Sequence, residues 1–215
     1  MTSLLFLEDI YRQFIQDLQH TGWLEFIAVI AGIFCVWLIR KENILNYPAG
    51  LINTTAYIYL SLKMSLFGEA SVNLYYTILN VYGWVLWSRK DGQDRYVLRI
   101  TRSTPRELGL QVVFFLVCYV LVFFSLTYLK QQFAPLAIPW ADAFASATAY
   151  TGMWVMTKKK VENWYWWIAT NCASIPLYFV KHYVFTSVYY LVLLIIAIGG
   201  LLEWNRRAKD IHYAA

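Results

Sequence analysis

Residues 164–178 place three kinds of ligand-binding side chain on one face of a predicted helix. Trp164, Trp167, Asn171, Ser174 and Tyr178 follow the spacing i, i+3, i+7, i+10 and i+14, which keeps them on a single face. Indole and phenol rings stack on planar groups and attract cationic ones, and an asparagine amide both donates and accepts hydrogen bonds. The stripe predicts a site for a small, partly flat, polar molecule that is neutral or positively charged.

Two further segments carry similar polar stripes. One runs from Asn73 to Trp87 at the same intervals, and the other contains Asn46, Gly50 and Asn53. An intramembrane asparagine also commonly bonds a neighbouring helix, and for Asn53 we favour that reading over a ligand role. The predicted substrate-binding residues are Trp164, Trp167, Asn171, Tyr178, Asn73, Tyr76, Asn80, Trp84 and Asn53.

Tryptophan also anchors helices at membrane surfaces. We assign six residues to such interfacial belts: Trp23, Trp37, Trp87, Trp140, Trp154 and Trp204.

The sequence contains no catalytic or metal-binding constellation. Its three histidines lie outside the apolar segments or at the very end of one, and its three cysteines lie in separate segments, so we predict no catalytic residue, no metal and no cofactor. A retinal photoreceptor is excluded because residues 184–204 contain no lysine. Asp142 stands near an apolar segment with no basic neighbour in sequence, so it is a candidate cation site, with plain exposure an equal alternative.

Seven apolar segments position these residues. With 60% hydrophobic and 14% charged residues, the chain is more apolar than a soluble domain, which has about 25% charged residues. We predict seven transmembrane helices, because each segment approaches the ~20 residues that cross a bilayer. They lie near 23–39, 44–66, 70–87, 108–129, 137–157, 162–182 and 184–204.

The basic residues predict the orientation. Alternating loops place 4 of the 18 lysines and arginines on one side and 14 on the other. By the positive-inside rule, the C-terminus is cytoplasmic and the N-terminus faces outward. The net charge of +5 is therefore a topological signal, and no RNA-binding motif accompanies it, so we predict no nucleic-acid partner.

The order of the segments predicts an internal repeat. Residues 108–129 are almost purely Leu, Val and Phe, whereas the three segments on each side contain polar residues. Landmarks in the first three segments recur 117 or 118 residues later, among them Gly83 and Trp87 at Gly200 and Trp204. We predict an all-α membrane protein in which two parallel three-helix bundles, 23–87 and 137–204, are joined by a polar linker and linker helix at 88–129.

Two terminal segments flank this repeat. Residues 1–20 predict an amphipathic helix, either on the outer surface or packed against the bundle. Residues 205–215 are a cytoplasmic tail. Residues 88–107 are polar, and we expect a solvated linker there despite the alternation of Tyr96, Leu98 and Ile100.

The motifs resemble one transporter family. The run from Lys159 to Asn171, with its Trp-x2-Trp-x3-Asn core, is similar to the nicotinamide riboside transporters, the PnuC family. The similarity extends to Tyr47-Pro48-x-Gly50, to Asn80-x2-Gly83-Trp84-x2-Trp87 and to Gly200-x3-Trp204. It covers the chain from Glu25 to Trp204.

The resemblance implies a function and a fold. Family members take up nicotinamide riboside, a vitamin B3 form, for NAD synthesis across the bacterial inner membrane, and a cytosolic nicotinamide riboside kinase is the implied metabolic partner. The implied fold is that of the SWEET sugar transporters, surrounded by membrane lipid, and the implied assembly is a homotrimer. Uptake would proceed by facilitated diffusion with trapping by phosphorylation. Thiamine or riboflavin transport remains the alternative, and a membrane enzyme is a distant one.

Overall fold

The computed structural model describes residues 2–20, 22–63, 67–133 and 137–213. Within these ranges the chain forms eight α-helices. They are α1 (Thr2–His20), α2 (Trp23–Arg40), α3 (Asn46–Lys63), α4 (Phe67–Ser88), α5 (Pro105–Phe133), α6 (Pro139–Thr157), α7 (Asn163–Val180) and α8 (Val184–Tyr213). Each of the seven predicted apolar segments contains one helix, α2 to α8. Residues 64–66, the predicted end of the second segment, lie outside the described residues.

Three of the described helices are long and apolar enough to cross a bilayer by length and composition alone. They are α2, α5 and α8, with mean hydropathies of 2.0, 2.4 and 2.3 over their spanning parts. Only 6% of the α5 span is buried within the protein, against 33% for α2. Its exposed leucines and valines suit contact with lipid tails, and the chain is an all-α integral membrane protein.

Two groups of three helices form the body of the molecule. In the first half, α2 packs on α3 and α3 on α4; in the second half, α6 packs on α7 and α7 on α8. The halves meet where α2 contacts α8 and where α4 contacts α6, while α5 lies along α6. Helix α1 packs on the start of α8: the Phe14 and Phe185 rings are 5.8 Å apart, and the Asp17 carboxylate accepts a hydrogen bond from the Phe185 backbone N–H.

Most basic residues gather at one end of this bundle, which we call the basic end. It comprises residues 41–45, 89–104, 158–162 and 205–213. Helix α5 starts here with a capping box: the Thr104 N–H donates to Glu107, and the Glu107 N–H donates to the Thr104 hydroxyl. Such reciprocal bonds satisfy backbone donors that a helix start leaves free. Helix α8 continues through the basic end to Tyr213, well beyond the predicted boundary at residue 204.

Four large aromatic side chains pack together at the basic end. Tyr47 meets Trp87 edge-on with centroids 5.3 Å apart, and Trp164 meets Trp204 in the same way at 5.5 Å. Trp87 and Trp204 are 2% and 0% exposed. Their assignment to interfacial belts was wrong, because both rings belong to the core; Trp23, Trp37 and Trp140 are exposed, as a belt position requires.

Glycines make this packing possible in both halves. A Cβ added to Gly83 would lie 2.6 Å from the Tyr47 ring, and one added to Gly200 would lie 2.5 Å from the Trp164 ring. The contacts match at a constant offset of 117 residues, since Tyr47, Gly83 and Trp87 correspond to Trp164, Gly200 and Trp204. The landmarks aligned at an offset of 118 were therefore one residue out of register.

The linker between the halves is more ordered than its polarity predicts. Ile100 is 1% exposed and joins the aromatic core. Thr101 pairs with Lys160 in an isolated parallel bridge, and the Thr101 carbonyl accepts from the Val161 N–H at 3.0 Å. The expectation of a solvated linker was wrong for this stretch, because Ile100, one of the alternating apolar residues, packs into the core.

Replacing Gly200 by alanine should destabilise the protein. The new methyl group would meet the buried Trp164 ring, and overpacking of this kind costs about 1–3 kcal/mol. Gly109→Ala is the matched control, because no atom lies within 4 Å of a Cβ at that position on α5. Thermal unfolding of the purified protein should show a lower midpoint for Gly200→Ala only. Equal midpoints would contradict the close packing.

Candidate functional site

The predicted stripe on α7 faces the interior of the second half. Trp164, Asn171 and Ser174 are no more than 2% exposed, and Trp167 is half-buried. The opposite side of α7 carries the exposed Tyr165 and Cys172. The helical spacing thus orients this face correctly.

Trp164 closes the stripe at the basic end. Its ring is enclosed between Gly200 and Trp204, and its indole N–H is buried without a hydrogen-bond acceptor. An indole held in this way has no free face for stacking. Trp164 therefore packs at the basic end of the interior, and any stacking on a ligand would have to come from other rings.

Trp167 lies on the small-residue face of α6. A Cβ added to Gly152 would lie 3.3 Å from Cε2 of Trp167, so the bare backbone at Gly152 supports the edge of the indole. Ala145 and Ala149, also buried, precede Gly152 on the same helix. The run of small residues in α6 therefore makes space for a large ring from α7.

Asn171 presents an unsatisfied acceptor one turn further along α7. Its side chain is 2% exposed, and its Oδ1 atom is buried with no donor. The neighbouring Thr170 is satisfied, because its hydroxyl lies 2.9 Å from both the Thr148 hydroxyl and the Trp166 carbonyl. A buried acceptor without a partner costs about 1–3 kcal/mol, and a ligand that donates to it would recover this.

The first half contributes a second amide. Asn80 is 3% exposed and lies directly over Gly50, where a Cβ would be 2.7 Å from the Asn80 Oδ1 atom. Gly50 thus gives the amide room between α3 and α4. Tyr76, one turn before Asn80 on α4, packs against Tyr150 of α6 with centroids 6.2 Å apart.

Tyrosines from four helices lie in the bundle, and only two of them, Tyr76 and Tyr178, are among the predicted substrate-binding residues. Tyr178 stacks on Tyr190 at 5.2 Å, and Tyr190 meets Tyr189 at 5.5 Å. Tyr76 and Tyr150 form a second ring pair, with centroids 6.2 Å apart. We call Tyr76, Tyr150, Tyr178, Tyr189 and Tyr190 the tyrosine cluster. Tyr150 and Tyr189 could have been found from their positions in the middle of apolar segments. They were missed because candidates were chosen only from polar stripes at helical spacing.

The remaining predicted residues lie elsewhere. The Asn53 amide donates to the Ala28 carbonyl at 2.7 Å and so links α3 to α2, as favoured for this residue. Trp84 is 39% exposed on the outer face of α4; Gly83 continues the inward stripe in its place. Asn73 is half-buried on α4, two turns before Asn80.

Asp142 is not a free cation site. Lys181 Nζ lies 2.7 and 2.9 Å from its two carboxylate oxygens, and the Ile138 backbone N–H donates to Oδ2 at 2.6 Å. The prediction was wrong because the partner comes from the end of α7, 39 residues away in sequence. The pair neutralises the carboxylate.

The described interior has few other charged or metal-binding groups. Among the described side chains, no group of three or more His, Cys, Asp or Glu residues could hold a metal ion. In the described part of the chain, the lysines and arginines of α2 to α7 and of the loops lie in loops or near helix ends; the others are Arg12 on α1 and three residues in the extension of α8 past residue 204. The arrangement offers aromatic faces, amides and hydroxyls, a set suited to binding and release of a polar molecule.

Comparisons with known proteins agree in one family. Residues 22–206 match the model of the family described as nicotinamide mononucleotide transporter. The nicotinamide riboside transporter PnuC of Escherichia coli is 27% identical over 209 residues, covering 88% of this chain and 87% of that protein. The riboflavin/roseoflavin transporter RibM of Streptomyces davaonensis is 22% identical, with 89% and 88% covered.

A solved structure shares the fold. The crystal structure of the vitamin B3 transporter PnuC matches with a TM-score of 0.71 over 97% of this chain and 92% of that chain, at 23% identity.

Asn171→Leu should leave the ligand-free protein as stable as the parent or more stable. The substitution removes an unpaired buried acceptor and keeps a similar volume, which should gain about 1–3 kcal/mol where packing allows. Thr170→Val is the matched control, since it removes a satisfied hydroxyl and should lower the unfolding midpoint. A midpoint that falls as far for Asn171→Leu would show that the amide stabilises the fold.

Proposed function

The chain belongs to the nicotinamide mononucleotide transporter family, and we propose that it takes up nicotinamide riboside across the bacterial inner membrane. One observation carries the proposal: the buried, unsatisfied Asn171 Oδ1 and the Trp167 ring lie on the same face of α7. From Trp167 to Asn171 the helix rises about 6 Å, so one small ligand can reach both side chains.

The chemistry of the interior favours a pyridinium nucleoside. The nicotinamide ring carries a positive charge, which aromatic faces attract by about 0.5–2 kcal/mol per contact. The carboxamide N–H groups would donate to Asn171, and Asn80 with Tyr76 would contact the ligand from α4. Trp167 supplies the stacking surface, while Tyr178, close to Tyr190, bounds the site on the side away from the basic end.

The riboside suits this interior better than the mononucleotide that appears in the family description. A buried phosphate dianion needs a cationic partner. Lys159 and Arg40 at the basic end are engaged with Glu42 and Glu203, and Lys181 is engaged with Asp142. E. coli PnuC, whose name specifies the riboside, agrees with this preference.

We propose a three–one–three architecture in which α2–α4 and α6–α8 are parallel repeats joined by the linker helix α5. The recurrence of side-chain contacts at a constant offset of 117 residues supports the repeat. The basic end then faces the cytoplasm, by the excess of lysine and arginine there, and the N-terminus faces outward. A homotrimer is the proposed assembly, by resemblance to the family alone.

Facilitated diffusion fits the charge distribution. Asp142, the one carboxylate proposed for ion coupling, is neutralised by Lys181. Net uptake then requires removal of the imported riboside, and phosphorylation by a cytosolic kinase would trap it as an anion that the interior does not accept.

A flavin is the second candidate substrate. The match to RibM extends over 89% of this chain, so riboflavin belongs in every binding test, with thiamine as a third compound. A tricyclic flavin needs a longer stacking surface than a pyridinium ring, and Trp164, enclosed by Gly200 and Trp204, cannot extend the surface of Trp167.

The protein should bind nicotinamide riboside and reject its 5′-phosphate. Each missing partner for a buried charge costs several kcal/mol, so calorimetry should detect the riboside and give no signal for the mononucleotide at the same concentration. Riboflavin and thiamine complete the panel. Equal affinity for riboside and mononucleotide would contradict the proposal, and binding of riboflavin alone would transfer it to the second candidate.

Substitutions in the stripe should separate stacking from hydrogen bonding. Asn171→Ala should weaken riboside binding by about ten- to a hundredfold, the equivalent of one unpaired buried polar group. Trp167→Phe should retain part of the affinity and Trp167→Ala should lose most of it, because only the first keeps an aromatic face. Trp140→Phe, at a position 66% exposed on the outside, is the control. Parent-like binding by both alanine variants would place the site elsewhere.

A further inference from the structure

Two residues at the basic end occupy equivalent and strained backbone positions. Glu42 follows the end of α2 with φ 57°, and Lys159 follows the end of α6 with φ 51°. They lie 117 residues apart, the same offset as the aromatic core. The Glu42 N–H donates to Ile39 and the Lys159 N–H donates to Met156, each at 2.9 Å. Left-handed backbone costs about 1–2 kcal/mol for a non-glycine residue, so its presence at both sites calls for a compensating role.

The side chains of these two residues join the halves. Lys159 Nζ lies 2.7 Å from the Glu42 carboxylate, and the lysine side chain is only 5% exposed. The same ammonium donates to the Leu98 carbonyl of the linker at 3.0 Å and lies 4.5 Å from the centre of the Trp87 ring. One buried cation thus contacts the first half, the linker and an aromatic side chain of the core.

Around this ion pair, each half donates a tryptophan hydrogen bond to the other half. The Trp87 indole of the first half donates to the Thr157 carbonyl of the second at 3.2 Å. The Trp204 indole of the second half donates to the Arg40 carbonyl of the first at 3.1 Å. Thr157 and Arg40 are the last residues of α6 and α2, so each half holds the end of a helix in the other.

The ion pairs between the halves, among the described residues, share one location. They are Arg40–Glu203, Lys41–Glu203, Lys159–Glu42 and Arg207–Glu42, all at the basic end. Toward the opposite end, the described contact between α4 and α6 is aromatic, as in Tyr75 with Tyr150 at 4.8 Å. Separating the halves at the basic end would have to expose the Lys159 ammonium to water, since an unpaired buried charge is strongly unfavourable.

We propose that the Glu42–Lys159 pair is the latch that keeps the basic end of the transporter closed, with the linker at Leu98 as its third point of attachment. The proposal rests on the proposed function only in that a transporter must open at this end. Lys159 acts through the aromatic core that it holds in place and does not contact the substrate.

The native Cys35 reports whether this end is open. It lies on α2 and packs against the aromatic core, whereas Cys172 is exposed on α7 and Cys118 lies on α5. With Cys118 and Cys172 replaced by serine, the alkylation rate of Cys35 by N-ethylmaleimide measures access to the core. Mass spectrometry of the purified protein follows the reaction without any substrate, so the result stands whichever vitamin the protein carries.

Lys159→Met should raise this rate about tenfold, as expected when the open population rises from about 1% to about 10%. Glu42→Gln should act in the same direction and serves if the first variant does not fold.

Asp142→Asn is the matched control. It breaks an ion pair of the same 2.7 Å length that lies within the second half alone, and it should leave Cys35 alkylation at the parent rate. The latch is refuted if the single variants alkylate at the parent rate, or if Asp142→Asn raises the rate as much as they do.

Discussion

A polar group in a bilayer must find its partner inside the protein, and the rest of this structure depends on that constraint. It separates α5, whose spanning part is apolar and turned outward, from the helices that carry amides and hydroxyls and pack among themselves. Asn53 illustrates the rule within the first half, where its amide N–H donates to the Ala28 carbonyl of α2. Lys181 and Asp142 illustrate it for charges, which meet as a pair near the end of the second half.

The exceptions to the rule are informative for the same reason. Asn171 Oδ1 has no donor although Thr170 beside it is fully engaged, so the fold satisfies the structural group and leaves the other acceptor available. Asn46 Oδ1 and Asn163 Oδ1 are also unpaired, but these amides lie at the first residues of α3 and α7 and donate to the Asn43 and Lys160 carbonyls. Trp164 Nε1 is unpaired too, but its ring is enclosed by Gly200 and Trp204. An open acceptor beside an accessible ring is what a substrate site requires, whereas an enclosed indole contributes packing. The two residues share a stripe and differ in what surrounds them.

Helical periodicity was enough to orient α7 and to find seven helical segments, because side-chain direction follows from local geometry. It could not place Trp87 or Trp204. At the end of a helix, a tryptophan in a lipid belt and one in a core have the same local sequence, and only the packing of Tyr47 and Trp164 against distant glycines distinguishes them. The Lys181–Asp142 pair and the burial of Ile100 could not be predicted from the sequence for the same reason, since each depends on contacts between segments distant in sequence.

The same offset of 117 residues also shows how two similar halves can surround an asymmetric ligand. Where the first half has Gly50 beneath the Asn80 amide, the second half has Trp167 and Ala197 at the equivalent positions. Gly50 on α3 makes room for the Asn80 amide on α4, whereas Gly152 on α6 makes room for the Trp167 indole on α7. Each half therefore has room for a side chain, but the side chain that occupies it differs between the halves. A strictly symmetric pair of halves would present the same groups from both sides, whereas this chain presents an amide from α4 and an amide beside an indole from α7.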